Sequence, residues 1–226
     1  MSTIDLERPG PWRDLFAPAL ELMAHLEQKV PGAVWTFGGG TALMLRIAHR
    51  HSKDIDLFVP DPQYLGYVSP RLSDVAEGIS TEYVEAAEYI KLFLPKGEID
   101  VVVGKALTDV PYETVSYRGR QIRVETSAEI VAKKMWHRGD RAKGRDLFDL
   151  CAVADAEPEQ ILRAAPFMRR HGAAFLQALI ERDAMLRREF AQIDAIGPGL
   201  AFERCRAQAD ALLRPLLSGP APAAPP

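Results

Sequence analysis

Hydrophobic and polar positions change their period along the chain, and the first part alternates between helical and strand-like patterns. Residues 12–29 carry apolar side chains at three- and four-residue spacing, which predicts an amphipathic helix. Short apolar runs at 33–37 and 54–60 predict two buried strands, and a helix is predicted between them over residues 41–50. A second helical pattern covers residues 62–77. The first third of the chain is therefore expected to mix helices and strands.

Two β-hairpins are predicted next, each with a glycine at its turn. The first covers residues 88–104 and turns at 96–97, and the second covers residues 112–126 and turns at 118–119. Glycine favours such turns because it adopts positive φ angles without a steric penalty. The hairpins add further strands to those predicted upstream.

The rest of the chain has a helical pattern. Thr126 and Glu129 fit a capping box at the start of a helix over residues 127–138. Further helices are predicted over residues 143–156, from Pro158, over residues 173–193, and from the Gly-Pro-Gly break at 197–199 to Leu217.

The change of pattern near residue 126 predicts both the fold class and the domains. The fold class is α+β, with a mixed sheet flanked by helices followed by a helical bundle. We expect the α+β domain to cover residues 1–126 and the helical domain residues 127–218. The segment 219–226 is rich in proline and alanine, and we expect it to be a disordered tail.

Composition and charge restrict the classes of protein to which the chain can belong. It has 226 residues, of which 47% are apolar, enough for one sizeable core or two small domains. Its net charge of −3 means that an anionic partner must be bound by a local basic patch. No apolar run reaches the roughly 20 residues that span a bilayer, and the N-terminus lacks a signal-peptide pattern. Cys151 and Cys205 form no CxxC motif, so we expect buried, reduced thiols and a cytoplasmic location.

Three consecutive glycines lie between a predicted strand and a predicted helix. The backbone at Gly38, Gly39 and Gly40 can approach a ligand closely, and the N–H groups at the helix start favour an anion. Thr41 adds a hydroxyl at the same place. The alternative is a tight turn without a ligand, because the run matches neither the dinucleotide-binding fingerprint nor a Walker loop.

Two aspartates interrupt the apolar strand that follows. Asp54 and Asp56 are two residues apart, so in a strand their carboxylates point to the same face and repel each other unless a cation lies between them. Such oxygen ligands suit Mg²⁺ or Mn²⁺, which also bind phosphate oxygens. Ile55, Leu57 and Val59 would then face the core. The alternative is an exposed edge strand with a solvated acidic face.

A third acid, Asp100, enters the strongly apolar strand of the first hairpin. If it lies beside Asp54 and Asp56, three carboxylates could hold two metal ions. Such a pair activates an attacking hydroxyl and stabilises the leaving pyrophosphate. The alternative is a solvated aspartate at a strand end.

Six lysines and arginines with only one acid occupy the segment from Lys133 to Arg145. Asp146 and Asp149 follow at a spacing of three, so they share one helical face. An aspartate beside Lys134 or Arg145 could orient a phosphate-binding cation. A solvated helix end, in which Asp146 pairs within its own helix, is the alternative.

These motifs together resemble those of the AbiEii/AbiGii toxin branch of the nucleotidyltransferase superfamily. The segments "GGTALMLRIAHRHSKDIDLF", "EIDVVVG" and "AKKMWHRGDRAKGRDLFDL" occur in the family order and cover roughly residues 33–155. The resemblance implies a nucleotidyltransferase-type sheet in the N-terminal domain. The helical remainder after residue 155 carries no matching motif.

For the first two motifs, the resemblance implies a phosphate loop and a metal site. Gly39, Gly40 and Thr41 match the phosphate loop, and Ser52 belongs to the same run and is assigned to the nucleotide. Asp54 and Asp56 match the metal-binding pair. The third acid is Asp100, which in this superfamily binds metal and helps to activate the acceptor hydroxyl.

For the last motif, the resemblance implies a helix lysine and an acid of an Arg-Asp pair. Lys134 fits the lysine best, because it lies 12 residues before Asp146, although Lys133 is adjacent. Asp146 matches the acid, and Arg145 is assigned to the nucleotide together with Lys134. The segment 135–144 departs from the aliphatic helix of the family, which leaves the choice between the two lysines open.

The resemblance implies a metal-dependent enzyme that moves a nucleoside monophosphate (NMP) from an NTP to an acceptor hydroxyl. The expected setting is a bacterial toxin–antitoxin or abortive-infection pair with a cognate antitoxin, and the tRNA 3′ end is the expected acceptor. The basic segment could hold such an RNA by its phosphates. Transfer to a protein or to a small molecule such as an aminoglycoside remains an alternative, as does a non-catalytic nucleotide-binding role.

Overall fold

A seven-stranded mixed sheet forms the centre of the computed structural model, which describes residues 4–218. In space the strands lie in the order β3-β4-β5-β2-β1-β7-β6, and β2 pairs parallel with β5 and antiparallel with β1. The strands in chain order are β1 (Thr36–Gly38), β2 (Ile55–Val59), β3 (Tyr83–Ala86), β4 (Tyr89–Leu94), β5 (Gly97–Val103), β6 (Tyr112–Tyr117) and β7 (Arg120–Glu125).

Helices flank this sheet and form the whole C-terminal part of the described chain, which confirms the predicted α+β class. None of the helices within residues 4–218 is long and apolar enough to cross a membrane. The helices in chain order are α1 (Trp12–Lys29), α2 (Gly39–Ile47), α3 (Leu65–Val68), α4 (Asp74–Ile79), α5 (Ser127–Arg138), α6 (Gly144–Ala156), α7 (Pro158–Glu181), α8 (Asp183–Ala191) and α9 (Phe202–Leu217).

Most predicted elements form close to their predicted bounds, and three do not. The helix predicted over residues 62–77 is divided into a 3₁₀ turn and the short helices α3 and α4. Strand β3 was not predicted, because Tyr83–Ala86 has only one partly buried side chain and little alternation. The helix predicted from Pro158 continues to Glu181 as α7. The helix predicted over 173–193 is therefore divided between the end of α7 and the separate helix α8.

The two faces of the sheet have opposite character, and the strand register determines which residues lie on each. On one face Phe37, Leu57, Val101 and Ile90 are neighbours across four strands, and all are fully buried. Helix α1 covers this face, where the ring of Phe16 lies 4.9 Å from that of Phe37. Burial of each such side chain contributes roughly 1.5–3 kcal/mol.

Strand β2 is central, with β5 on one side and β1 on the other. Ile55, Leu57 and Val59 are completely buried, as predicted. The alternative of an exposed edge strand is therefore wrong. The opposite face of β2 carries Asp56 and Phe58, and it borders a cavity.

The helical part begins at a capped helix and packs directly on the sheet. The Thr126 hydroxyl accepts the N–H of Glu129 at 3.2 Å, as a capping box requires. The Glu129 carboxylate instead accepts the N–H groups of Leu107 and Thr108, so only half of the box forms. The division into domains at residue 126 stays a prediction, and the predicted tail at 219–226 lies outside the described residues.

The two cysteines are buried and form no disulfide, which agrees with the prediction of reduced thiols. The Cys151 thiol donates a hydrogen bond to the carbonyl of Cys205 at 3.3 Å. This contact joins α6 to α9 within the helical part.

Candidate active site

The glycine loop is the N-terminus of a helix that begins directly after a strand. Strand β1 ends at Gly38, α2 begins at Gly39, and the helix has no side-chain cap, so its first N–H groups are suited to an anion. Gly39 has φ +69°, and a Cβ there would overlap the carboxylate of Asp56. Glycine is therefore required at this position both by the backbone and by the adjacent acid.

The next two loop residues differ in what their surroundings allow. A Cβ on Gly40 would lie 2.8 Å from Arg50 Nη2 and 3.0 Å from Ser52 Oγ. A larger residue here would therefore displace the side chain of Arg50. The Thr41 hydroxyl is fully buried, donates to the carbonyl of Asp54 at 2.6 Å and lies 3.0 Å from Ser52 Oγ. Ser52 lines the cavity, whereas the Thr41 side chain supports the loop from behind, unlike its predicted contact with nucleotide.

The acids lie on the cavity face of the sheet. Gly38, Asp56, Asp100 and Lys91 are direct neighbours across β1, β2, β5 and β4. Lys91 donates to Asp100 Oδ2 at 2.8 Å, while the buried Asp100 Oδ1 has no hydrogen-bond partner within the described chain. Asp54 precedes β2, and its Oδ1 accepts the Glu98 N–H at 3.1 Å.

This environment disfavours negative charge on the two facing acids. Burial raises the pKa of Asp100 to about 6, with Lys91 acting in the opposite direction and the charge of Asp56 adding to the rise. Burial also raises the pKa of Asp56, although Lys134, Arg138 and Arg145 oppose the rise. A cation between these carboxylates would relieve the cost of both charges.

The three acids do not form the cluster that the sequence predicted. Among residues 4–218, no group of three or more His, Cys, Asp or Glu side chains is arranged to hold a metal ion. Asp54 Oδ1 accepts a backbone N–H, and Asp100 Oδ2 pairs with Lys91. Asp56 and the free oxygen of Asp100 still fit Mg²⁺, which is commonly bound by one or two carboxylates with phosphate oxygens as further ligands.

Cations from α5 and α6 form the opposite wall of the cavity, and the aspartates Asp146 and Asp149 lie behind them without lining it. Lys134 lies between two aspartates, 3.4 Å from Asp146 Oδ1 and in a short ion pair with Asp149. Arg138 donates to Asp146 Oδ1 at 2.6 Å. Burial opposes the charge of Asp146, but Lys134 and Arg138 outweigh it and hold its pKa below the ordinary value.

Asp149 connects this wall to the segment after the glycine loop. Arg50 donates from Nε and Nη2 to both oxygens of Asp149, at 2.6 and 3.0 Å. His49 Nε2 lies 2.8 Å from Asp149 Oδ1, and burial lowers the pKa of His49. Asp149 is fully buried, and its pKa lies well below the ordinary value because Lys134, Arg50 and His49 outweigh the effect of burial.

Arg50 and Asp149 were not among the predicted site residues. The spacing of Asp149 three residues after Asp146 placed both on one helical face, which is the signal that could have identified it. Arg50 is separated from Asp149 by 99 residues, so their bidentate contact could not be read from local spacing.

The two adjacent lysines face different partners. Lys133 pairs with Glu125, lies 3.6 Å from Glu129 Oε1, and its Nζ is 4.0 Å from the centre of the Phe58 ring. Lys134 contacts Asp146, as its predicted assignment to the family motif requires. Both line the cavity, but the geometry favours Lys134 as the lysine of that motif.

A cavity of about 500 Å³ brings the predicted residues together. Its floor is the acidic sheet face with Asp56 and Asp100, and its wall contains Lys134 and Arg145. Within the described residues, Arg145 makes no hydrogen bond or ion pair, and its charge acts on Asp56. An anion between wall and floor would contact cations on one side and, through a bound metal ion, acids on the other. The other predicted residues that line the cavity are Gly39, Gly40, Ser52 and Asp54.

Comparisons with known proteins agree with this arrangement. A family model described as "Nucleotidyl transferase AbiEii toxin, Type IV TA system" matches residues 21–224. A comparison with curated protein sequences gave no match. A solved structure described as a candidate nucleotidyltransferase from H. pylori is 16% identical, with a TM-score of 0.46, over 88% of this chain and 92% of that chain. The structure of ANT(2″)-Ia in complex with adenylyl-2″-tobramycin is 14% identical, with a TM-score of 0.47, over 69% of this chain and 99% of that chain.

At these identities and TM-scores, the solved structures carry no argument about the reaction, and the assignment depends on the family model. That model covers most of the chain and includes every predicted site residue. The chain therefore belongs to the AbiEii family of nucleotidyl transferase toxins of type IV toxin–antitoxin systems.

Proposed function

We propose that this chain is a metal-dependent enzyme that transfers an NMP from an NTP to the 3′-terminal hydroxyl of tRNA. The observation that carries the proposal is the single cavity in which the facing carboxylates of Asp56 and Asp100 lie opposite the cations of Lys134 and Arg145. A triphosphate with its metal ion has the charges that complement both sides.

In this proposal the loop and the basic wall bind the triphosphate. The N–H groups of Gly39 and Gly40 donate to phosphate oxygens at the start of α2. Ser52 lies beside the loop and adds a hydroxyl donor. Lys134, fixed by Asp146 and Asp149, and the unpaired Arg145 neutralise the phosphates from the opposite side.

Asp56 and Asp100 would hold Mg²⁺ or Mn²⁺ with the phosphates, and Asp54 would support the site from the start of β2. The metal would supply charge stabilisation at the transferring and leaving oxygens. The metal sites and the roles of these residues are parts of the proposal.

Asp100 is proposed to accept the proton of the attacking hydroxyl. Its Oδ1 is free of hydrogen bonds within residues 4–218, so a lone pair of this oxygen is available to the acceptor. The acceptor would therefore approach from the Asp100 side of the cavity, opposite the glycine loop.

The basic rim supports a polyanionic acceptor. Arg138, Arg141 and Arg145 line the cavity, and the Arg141 side chain is 75% exposed. RNA phosphates would be attracted to these guanidinium groups, whereas an aminoglycoside, which is cationic, would be repelled. A protein acceptor is the remaining alternative. A purely nucleotide-binding role, in which Asp56 and Asp100 hold the metal ion of the NTP without transfer, is the other alternative.

The family assignment supports a cognate antitoxin as the partner. The substrates of the proposed reaction, NTPs and tRNA, are cytoplasmic, so we propose the cytoplasm as the location. In such a pair, modification of the tRNA 3′ end would block aminoacylation and so arrest growth.

The test is incubation of the protein with each of the four α-labelled NTPs and Mg²⁺, together with total tRNA, total cell protein or tobramycin. We expect label on tRNA with wild-type protein, no label with Asp56→Asn, and a loss of label when EDTA is added. Label on protein or drug would identify the alternative acceptor. Absence of label from every acceptor would contradict the enzymatic proposal.

A matched experiment in cells tests the toxin role. Expression of the wild-type chain alone should arrest growth, and expression of Asp56→Asn at an equal level should not. Equal arrest by both would show that toxicity does not depend on nucleotidyl transfer.

A further inference from the structure

A second cavity, of about 450 Å³, adjoins the candidate active site on the side of the glycine loop. It shares Arg50 and Arg145 with the first cavity and is otherwise formed by the segment after α2, the start of α6 and the end of α8. Its charged and titratable lining residues are Arg50, His51, Lys143, Arg145, Glu189 and Asp194.

A series of neighbouring residues runs across the first cavity from Asp100 to Arg50, which also lines the second cavity. Asp100 is the neighbour of Asp56 in the sheet, and the carboxylate of Asp56 lies against Gly39. Gly40 then lies against the guanidinium of Arg50, which lines both cavities. The order from Asp100 to Arg50 is therefore the order from the proposed acceptor to the proposed leaving group.

The second cavity is lined by two acids and by two cations whose side chains make no hydrogen bond within the described chain. Arg50 is neutralised by Asp149, and the Glu189 carboxylate accepts the Gly144 N–H at 2.7 Å. Asp194 is the other acid in the lining, and the two cations are Lys143 and Arg145. Burial and the neighbouring Arg145 and Arg138 lower the pKa of Lys143, whereas Asp146 and Glu189 act in the opposite direction. An anion would relieve the repulsion among the three cations.

The walls of this cavity are held by backbone contacts. Arg50 forms an antiparallel bridge with Ala195. The N–H of His51 donates to the Asp194 carbonyl at 2.8 Å, and the N–H of Ile196 donates to the His49 carbonyl at 3.0 Å. The cavity therefore has a defined shape in which the segment after α8 is fixed against the segment after α2.

We propose that the second cavity binds the pyrophosphate that leaves during nucleotidyl transfer. The inference rests on the proposed function. In that reaction the acceptor oxygen forms a bond to the α-phosphorus while the bond from this phosphorus to the bridging oxygen breaks. The electron pair leaves with pyrophosphate, and the hydroxyl proton passes to Asp100. Pyrophosphate then moves past Arg50 and Arg145, away from the acceptor, to Lys143.

The first test is product inhibition by sodium pyrophosphate. Lys143→Gln removes one cation from the second cavity, and Lys29→Gln, at the end of α1, is the matched control with the same change of charge. Loss of a charge-assisted hydrogen bond should raise the inhibition constant of pyrophosphate about tenfold in Lys143→Gln only. The KM for NTP should stay within about twofold, because Lys143 lines only the second cavity.

A second variant tests the same cavity from another position, so that the result does not depend on the local structure at Lys143. Gln192→Glu adds a negative charge to the same cavity from α8 and should also raise the inhibition constant for pyrophosphate. Unchanged inhibition in both variants would overturn the inference, and so would a parallel rise in the KM for NTP.

Direct calorimetric titration of pyrophosphate separates this inference from the proposed function. Weaker binding to Lys143→Gln than to wild type would support the second cavity even if no acceptor had been labelled. Equal binding to both proteins would refute it, even if transfer to tRNA had been demonstrated.

Discussion

Two pairs of aspartates have opposite surroundings: Asp56 and Asp100 line the candidate active-site cavity, whereas Asp146 and Asp149 lie behind the cations of its wall. Asp56 and Asp100 on the sheet face one another, and burial raises the pKa of both. Asp146 and Asp149 on α6 are more deeply buried, yet Lys134 and its neighbours hold the pKa of both below the ordinary value. The first pair has one direct ion-pair partner, Lys91, and the second has four basic partners, which are Lys134, Arg138, Arg50 and His49.

The difference shows which carboxylates are available to a ligand. A carboxylate that accepts two or three cationic donors maintains structure, because any ligand must first displace those donors. A carboxylate with an unpartnered oxygen and a raised pKa is stabilised only when a cation arrives. The more deeply buried pair has the lowered pKa values, so the neighbouring cations rather than burial determine the difference.

Asp56→Asn, which removes one charge of the sheet pair, should have the largest effect on transfer activity. We expect transfer to fall by at least about 10³-fold, because preorganised charge at the reacting phosphate is lost. The metal-free protein should melt at a higher temperature at pH 7, since the raised pKa means that the charge of Asp56 destabilises the fold there. Labelled-NTP transfer and thermal unfolding measure both effects, with Asp109→Asn as an exposed control. A lower melting temperature would assign Asp56 a structural role.

Asp149→Asn should have the opposite effect on stability. The change leaves Arg50, Lys134 and His49 around a neutral amide, and an uncompensated buried charge costs about 3–5 kcal/mol. Urea unfolding of the variant should show this loss of free energy, and transfer should fall because Lys134 loses its position. Stability equal to that of wild type would abolish the distinction between the two pairs.

Asp100→Asn should remove a defined part of the pH dependence of stability. A carboxyl with a pKa of about 6 in the folded state and 3.8 otherwise stabilises the fold fully below pH 3.8, and this contribution disappears as the pH rises through 6. Urea unfolding in EDTA at several pH values between 4 and 7 measures it. The free energy of unfolding of wild type should decline more steeply over that range than that of the variant. Parallel curves would show that Asp100 has an ordinary pKa.

Gly39→Ala tests how firmly Asp56 is held, because the new methyl group would overlap its carboxylate. A matched control is Gly119→Ala, since Gly119 has φ +79° and open space around it. The control should lose about 1–2 kcal/mol from backbone strain alone. Gly39→Ala should lose more, because its Cβ overlaps the Asp56 carboxylate, and transfer should fall with it. Equal losses of unfolding free energy would mean that Asp56 moves aside freely.

Local patterns were sufficient to predict the capped start of α5, the two hairpins and the buried side of β2. The pairing of Asp56 with Asp100 was also within reach, because alternation in two apolar strands placed both acids on the polar face. The engagement of Asp54 by the Glu98 N–H, and thus the incomplete metal cluster, depended on strand register, which spacing does not determine. The bidentate contact of Arg50 with Asp149 joins residues far apart in the chain and had no local signal.

The bridge between Arg50 and Ala195 has a consequence for how the chain can be shortened. Every motif that matched the family ends by residue 155, which would suggest that the last helices are dispensable. Yet removal of residues after 191 would delete the backbone that holds the segment next to the glycine loop, and Arg50 would lose one of its two anchors. A cut within residues 194–196 would therefore weaken the support of the segment next to the glycine loop, although these residues include no predicted site residue.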